Sequence, residues 1–270
     1  MKKVLIILLS LLLVSCEDII EINLNTVEPR LVIDASLNWV KGTDGRNQSI
    51  KLSLTAPFFD ETVPPATGAA VTVTDSNNNT FNFIEEGSTG VYNNYTFIPA
   101  INETYNLIIN YNNEIYTATE TLIPVVPIEF IEQKNDGGFA GDEIEIKAFY
   151  SDPLNINNFY LFEFIVASRN SKDIEVYDDE FTDGNQIFAF HSNENLKTDE
   201  ELLIINSGIS ERYYEFMNIL LQQTDDQSGD PFQTQPATVR GNCINQTNPK
   251  NFPFGYFRAS EADKLTYIVQ

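Results

Sequence analysis

"AVTVTDSNNNTFNF", residues 70–83, decides the fold class. Val71 and Val73 alternate with threonines, a polar run follows at 75–79, and Phe81 and Phe83 alternate with Thr80 and Asn82. Successive side chains of a strand point to opposite faces, so a period of two marks a strand buried on one side. A short Asp/Ser/Asn run between two such stretches marks the turn of a hairpin. The pattern spreads outward from there. Leu31, Ile33, Ala35, Leu37 and Trp39 alternate with Val32, Asp34, Ser36 and Asn38, and Ile50, Leu52 and Leu54 with Lys51 and Ser53. "TYNLIINYNNEIYTATET", 104–121, predicts a second hairpin turning at Asn112-Asn113, a pair that tolerates positive φ. Short strands at this turn spacing predict an antiparallel β-sandwich over 28–123.

"LIPVVPIEF" then brings Pro124 and Pro127, which interrupt strand pairing and stiffen a connector at 124–128. Beyond it, 129–270 reads as a second β-rich domain. Ile144, Ile146, Ala148 and Tyr150 alternate up to Ser151-Asp152-Pro153, and "FYLFEFIVA", 159–167, is apolar enough for a strand buried on both faces. Further strands are predicted at 186–190, 201–205 and 265–269. One stretch departs from period two. In "SERYYEFMNILLQQT", Tyr213, Phe216, Met217, Leu220 and Leu221 recur at helical spacing, with Ser210 placed to cap and Ile209 to staple the first turn. This predicts one helix, about 209–224, packed on a sheet.

The first sixteen residues carry an address. Lys2 and Lys3 precede an apolar run at 4–14, too short to span a bilayer, which needs about 20 residues. Leu13-Val14-Ser15-Cys16 matches the bacterial lipobox, in which the cysteine thiol is acylated and the peptide before it removed. The reading is a signal peptide at 1–15, a lipidated Cys16 and a tether at 16–27; the competing reading is an ordinary export signal with an incidental cysteine. Each buried CH₂ of an acyl chain contributes about 0.8 kcal/mol, so several chains on Cys16 anchor the protein stably.

The full chain carries 16 Lys+Arg against 39 Asp+Glu, a formal charge of −23, and removing Lys2 and Lys3 leaves 14 against 39, or −25. That balance excludes nucleic acid as a partner, since nucleic-acid binding needs a basic footprint, and opposes adsorption of the folded body on anionic lipid. With Cys16 lipidated, Cys243 is the remaining thiol, so no disulfide framework forms within the chain.

Little in the sequence points to catalysis. His191 is the one histidine and lacks the additional nitrogen or sulfur ligands of a zinc site. No nucleophile elbow or glycine-rich phosphate loop accompanies it, so a structural or solvent-facing role is expected. "YDDEFTDGNQI", 177–187, crowds Asp178, Asp179, Glu180 and Asp183 before Gly184, an oxygen-rich loop that suits calcium. Its spacing departs from the EF-hand, and the other reading is a hairpin connection with solvated acids. "NPKNFPFGYFRAS", 248–260, reads either as a buried turn entering the last strand or, exposed, as a platform of Phe254, Tyr256 and Phe257 for a ligand or partner.

Taken together, the lipobox, "RLVIDASL", "ATGAAVTVTDSNNNT", "GVY" followed by "ETYNLII", "DDEFTDGN" and "RGNCINQTNPKNFPFGYFRAS" resemble a family of Bacteroidota lipoproteins catalogued as a domain of unknown function. The best landmarks are the acidic loop, "VRGN" at 239–242 and "FGYF" at 254–257. The first sandwich is similar to Ig-like, transthyretin-like or carboxypeptidase-regulatory modules. Glu17 and Asp18 resemble the acidic signals that send such lipoproteins to the outer face of the outer membrane, although the lysine or glutamine that commonly precedes the acids is missing. The resemblance implies a non-enzymatic accessory of a TonB-dependent outer-membrane transporter. The alternatives are a subunit of outer-membrane biogenesis or secretion machinery and, third, a calcium-dependent glycan- or peptide-binding protein. The resemblance supplies no catalytic residues.

Overall fold

The computed structural model describes residues 28–57, 60, 62–138, 141, 143–224 and 239–270. The expected signal peptide, Cys16, Glu17, Asp18 and the tether lie outside the described residues. The fold is mostly β, with sandwich sheets and one described helix.

The first half comprises β1 (Leu31–Val40), β2 (Gln48–Leu54), β3 (Ala70–Thr74), β4 (Thr80–Glu85), β5 (Val91–Asn94), β6 (Thr104–Tyr111) and β7 (Glu114–Thr121). The β3–β4 hairpin forms as its alternation predicts, with Val71 opposite Phe83 and Val73 opposite Phe81. Asp75 closes its turn by accepting the N–H groups of Asn77 and Asn79 at 2.9 and 2.8 Å. In the β6–β7 turn, Asn112 and Asn113 both take positive φ, 48° and 62°, as a type I′ turn requires. Strand β4 serves two sheets: Phe81 and Phe83 pair with β3, whereas Ile84 and Glu85 pair with β5. The chain thereby folds β1-β2-β5 over β4-β3-β6-β7. Ile33, Leu37 and Leu52 meet Phe97 and Tyr105 in the core between them, the two rings 5.0 Å apart.

The second half adds β8 (Phe130–Gly137), β9 (Glu143–Ser151), β10 (Phe159–Val166), a 3-10 turn (Ala167–Arg169), β11 (Ser171–Asp178), β12 (Gln186–Asn193) and β13 (Glu201–Ile209). Helix α1 (Glu211–Thr224), β14 (Ile244–Asn245) and β15 (Phe254–Ile268) complete it. Sheet β12-β9-β8 covers β11-β10-β13-β15 over a core of Ile146, Tyr150, Tyr160, Phe162, Phe164 and Leu202. Strand β10 is buried on both faces, as its continuous apolar run predicts: Tyr160, Phe162 and Phe164 enter this core, and Leu161 packs under α1 with Ile209 and Met217. Ser210 caps α1, its hydroxyl accepting the Tyr213 N–H at 3.3 Å. Strands β8 and β11 were not among the sequence expectations. Both lie at sheet edges and mix charged residues into their alternation, which hides the period.

The two halves are not independent. Strand β15 is 15 residues long and belongs to both. Residues 254–262 pair in parallel with β1, and 262–268 pair antiparallel with β13. Strand β14 pairs with β7, and Cys243, Phe257 and Ala259 sit in the first core. Residues 243–262, expected in a separate second domain, therefore complete the first sandwich. The proline connector is pinned to the shared strand rather than left free. Glu261 accepts the Val125 N–H at 2.9 Å, Asp263 accepts the Ile128 N–H at 2.8 Å, and Asn206 donates to the Val126 carbonyl at 3.1 Å.

Candidate functional site

Two connections meet at one end of the second core. The β9–β10 connection begins at Asp152, and the β11–β12 connection runs from Asp179 to Asn185; the Asp152 N–H donates to the Asn185 carbonyl at 3.0 Å. Asp152, Asp179 and Asp183 each present a carboxylate oxygen, all within 4.8 Å of one another. Asp152 is 5% exposed and Asp179 6%, while Asp183 is exposed. Neutral donors orient the three groups. Asp152 accepts the Tyr160 hydroxyl at 2.5 Å and the Gly184 N–H at 3.2 Å, Asp179 accepts the Asn158 N–H at 2.8 Å, and Asp183 accepts the Asn155 N–H at 2.7 Å.

This corrects the trio expected from sequence. Asp178 turns away, accepting the Tyr214 hydroxyl of α1 at 2.5 Å, and Asp152 takes its place beside Asp179 and Asp183. Asp152 escaped notice because Ser-Asp-Pro reads as a strand stop, and nothing local tells that this stop meets an acidic loop far along the chain. Gly184 takes φ +72°, and a Cβ there meets Leu154 Cδ1 at 2.6 Å, so the loop lies close against its neighbour.

His191 stands on the inner face of β12, 5% exposed and stacked at 4.8 Å on Phe164. It lines a cleft of about 690 Å³ between β11, β12 and α1, and its Nδ1 is 3.4 Å from Asp173. Burial lowers its pKa more than Asp173 raises it. The folded state therefore binds its proton less readily than the unfolded state does, so stability falls as pH drops through about 6.5, the unfolded value. A His191→Phe variant is expected to lose less of its melting temperature than the wild type between pH 8 and pH 5, read by circular dichroism. Parallel curves contradict the assignment.

Of the two readings of the aromatic segment, the buried one holds for Tyr256 and Phe257, and the exposed platform is not formed. Tyr256 and Phe257 are buried within β15, Tyr256 against Tyr213 and Phe216 of α1 at 4.8 and 5.0 Å, and Phe257 in the first core. Alternation along β15 sends the two rings to opposite faces, and both faces are covered. Phe254 is half-buried against Phe252, whose ring lies 3.9 Å from the guanidinium carbons of both Arg30 and Arg240. Asn242, in the "VRGN" landmark, clasps Phe257 by accepting its N–H at 2.9 Å and donating to its carbonyl at 2.8 Å. The Cys243 thiol beside it is buried, its pKa pushed up to about 12 by desolvation, which makes it a packing group rather than a nucleophile.

No curated protein matches this chain. Among solved structures, the two-domain fibronectin type-III segment of chicken tenascin is 9% identical, covers 67% of this chain and 90% of its own, and superposes with a TM-score of 0.22. A DUF4785 family protein of Legionella pneumophila is 9% identical and covers 65% and 52%, with a TM-score of 0.24. The chicken interferon gamma receptor alpha chain is 11% identical and covers 67% and 88%, with a TM-score of 0.21. TM-scores this low carry no argument about function. The sequence comparison is broader: the match to the family described as Domain of unknown function (DUF4249) runs over residues 17–266, nearly the whole chain, and the chain belongs to that family.

Proposed function

We propose that this protein is a lipid-anchored outer-membrane lipoprotein that binds rather than reacts, and serves as an accessory subunit of a TonB-dependent transporter. The observation that carries the reading is Leu13-Val14-Ser15-Cys16, set at the end of a short apolar run behind Lys2 and Lys3. Acyl chains on Cys16 hold the protein to the bilayer, and residues 17–30 link the anchor to β1, where Leu31 begins the first sandwich. The body's acidic excess repels anionic head groups, so it stands off the lipid and presents itself to a protein partner. A strand shared by both cores couples them, which suits a rigid docking body.

Mass spectrometry of the protein from native membranes is expected to find a diacylated, or triacylated, Cys16 at the N-terminus. Cys16→Ser is expected to abolish the acylation and, with it, processing at this position. Gentle detergent extraction followed by pull-down is expected to recover an outer-membrane barrel in near-equal amount. An unmodified Cys16, or a lone monomer under several mild conditions, overturns the reading.

A further inference from the structure

Two stretches singled out in the sequence meet at the head of the β1–β15 ladder: Arg30 opens "RLVIDASL", and Arg240 and Phe252 belong to "RGNCINQTNPKNFPFGYFRAS". The ladder pairs Val32 with Phe254, which sets Arg30 beside Phe252 two residues earlier on each strand. The Arg30 backbone is fixed by an exchange with Thr55: its N–H donates to the Thr55 hydroxyl at 2.9 Å, and its carbonyl accepts the Thr55 N–H at 2.9 Å. Residues 240–242 are held as closely, since a Cβ on Gly241 would fall 1.7 Å from the Gly255 carbonyl oxygen. Both guanidinium carbons lie 3.9 Å from the centre of the Phe252 ring. Two guanidinium groups do not fit on one face at that distance, so they cover opposite faces, no more than about 8 Å apart.

The arrangement gathers positive charge without neutralising it. The chain has 39 Asp and Glu against 16 Lys and Arg, yet none of those acids pairs with Arg30 or Arg240 among the described residues. Arg30 Nη1 is buried and has no hydrogen-bond partner. By contrast, Arg46, Arg169 and Arg258 reach Asp44, Glu200 and Asn38. Two cations this close repel, and a buried guanidinium N–H without an acceptor keeps its desolvation cost. Stacking on the electronegative faces of the ring offsets part of this but leaves the N–H forks unused. The rim of an aromatic ring is the positive end of its quadrupole. The edge of Phe252 thus lies between two unfilled donor forks and shares their sign, which makes a cradle for an anion.

We propose that Arg30 and Arg240, set over the two faces of Phe252, bind a phosphate group. Guanidinium forks match phosphate geometry bidentately, and a phosphate has enough oxygens to meet two forks at once, whereas one fork uses up both oxygens of a carboxylate. The phosphate belongs either to a lipid headgroup or to a free phosphate or its ester. Position favours the headgroup, because residues 17–29 join Arg30 to Cys16 and the site lies where the body meets its anchor. That source rests on the lipoprotein reading; the phosphate site itself does not. A contact at this one point orients the body on the lipid while its acidic remainder is held off.

The test uses the full chain, purified in a maltoside detergent, which carries no phosphate, and in phosphate-free buffer. Calorimetry compares inorganic phosphate with dihexanoyl phosphatidylglycerol below its micellar concentration, and with dihexanoylglycerol as the phosphate-free counterpart. One site per chain is expected, with the lipid phosphate bound at least tenfold more tightly than the inorganic one and dihexanoylglycerol not bound. Equal affinity for the two phosphates still supports the site and makes free phosphate its ligand. Arg240→Gln, at an exposed position outside both cores, is expected to weaken phosphate binding at least tenfold. Arg240→Lys, which keeps the charge and loses the fork, is expected to recover only part of it. Arg46→Gln, whose partner is Asp44, is expected to change nothing. No binding of either phosphate up to 10 mM overturns the proposal. So does equal weakening by Arg46→Gln and Arg240→Gln, or equal binding of dihexanoylglycerol. An unmodified Cys16 with phosphate binding intact leaves the site standing and removes only the lipid as its source.

Discussion

Gly255→Ala is expected to destabilise the protein by about 4 kcal/mol or more, enough to unfold a marginally stable domain. Gly255 lies at the start of β15 with φ +87°, where a side chain costs about 1–2 kcal/mol by itself. The larger cost is steric. A Cβ there falls 2.0 Å from the Ile33 carbonyl oxygen of β1, so the two strands must separate at the head of their parallel ladder. Gly68→Ala is the matched control: its φ is +77°, but nothing lies within 4 Å of the added carbon, so a loss near 1 kcal/mol is expected. Urea denaturation of the two variants measures the difference. A Gly255→Ala loss no larger than the control's removes the close approach of β1 and β15 from the account of stability.

Phe162→Ala is expected to cost about 3–5 kcal/mol, the usual range for emptying a buried phenylalanine site. The ring is fully buried in the second core, with centroids of Tyr150 and Tyr177 at 5.2 and 5.8 Å. Phe181→Ala, at an 88% exposed ring, is expected to change stability by less than about 0.5 kcal/mol. The informative readout is Trp39, the sole tryptophan, which packs against the other core. Because β15 is common to both cores, the Trp39 fluorescence transition is expected to shift together with circular dichroism in Phe162→Ala. A Trp39 transition left at the wild-type midpoint means that the halves unfold independently.

The hairpins at 70–83 and 104–121 were legible because their alternation and turn residues are local properties. A strand buried on one side needs an apolar residue at every second position, whatever it pairs with, and Asn112-Asn113 announces positive φ by side-chain chemistry alone. Helix α1 was legible for the same reason. The aromatic segment at 254–257 showed its apolar character but not its exposure, because burial depends on what covers each face. Tyr256 is covered by α1, and Phe257 by the first sandwich.

The sequence by itself determined the strands of the two hairpins and their inward faces and helix α1, which follow from neighbours along the chain, and the acidic balance, which follows from composition. The tertiary structure alone decided that the last strand belongs to both cores, and that Asp152 rather than Asp178 joins Asp179 and Asp183. Those outcomes rest on pairings between distant positions, such as Arg258 donating to Asn38 across 220 residues. Period-two patterning states which side of a strand is buried but carries no label for its partner. Register and adjacency are set only when every strand competes for the same edges and the same core.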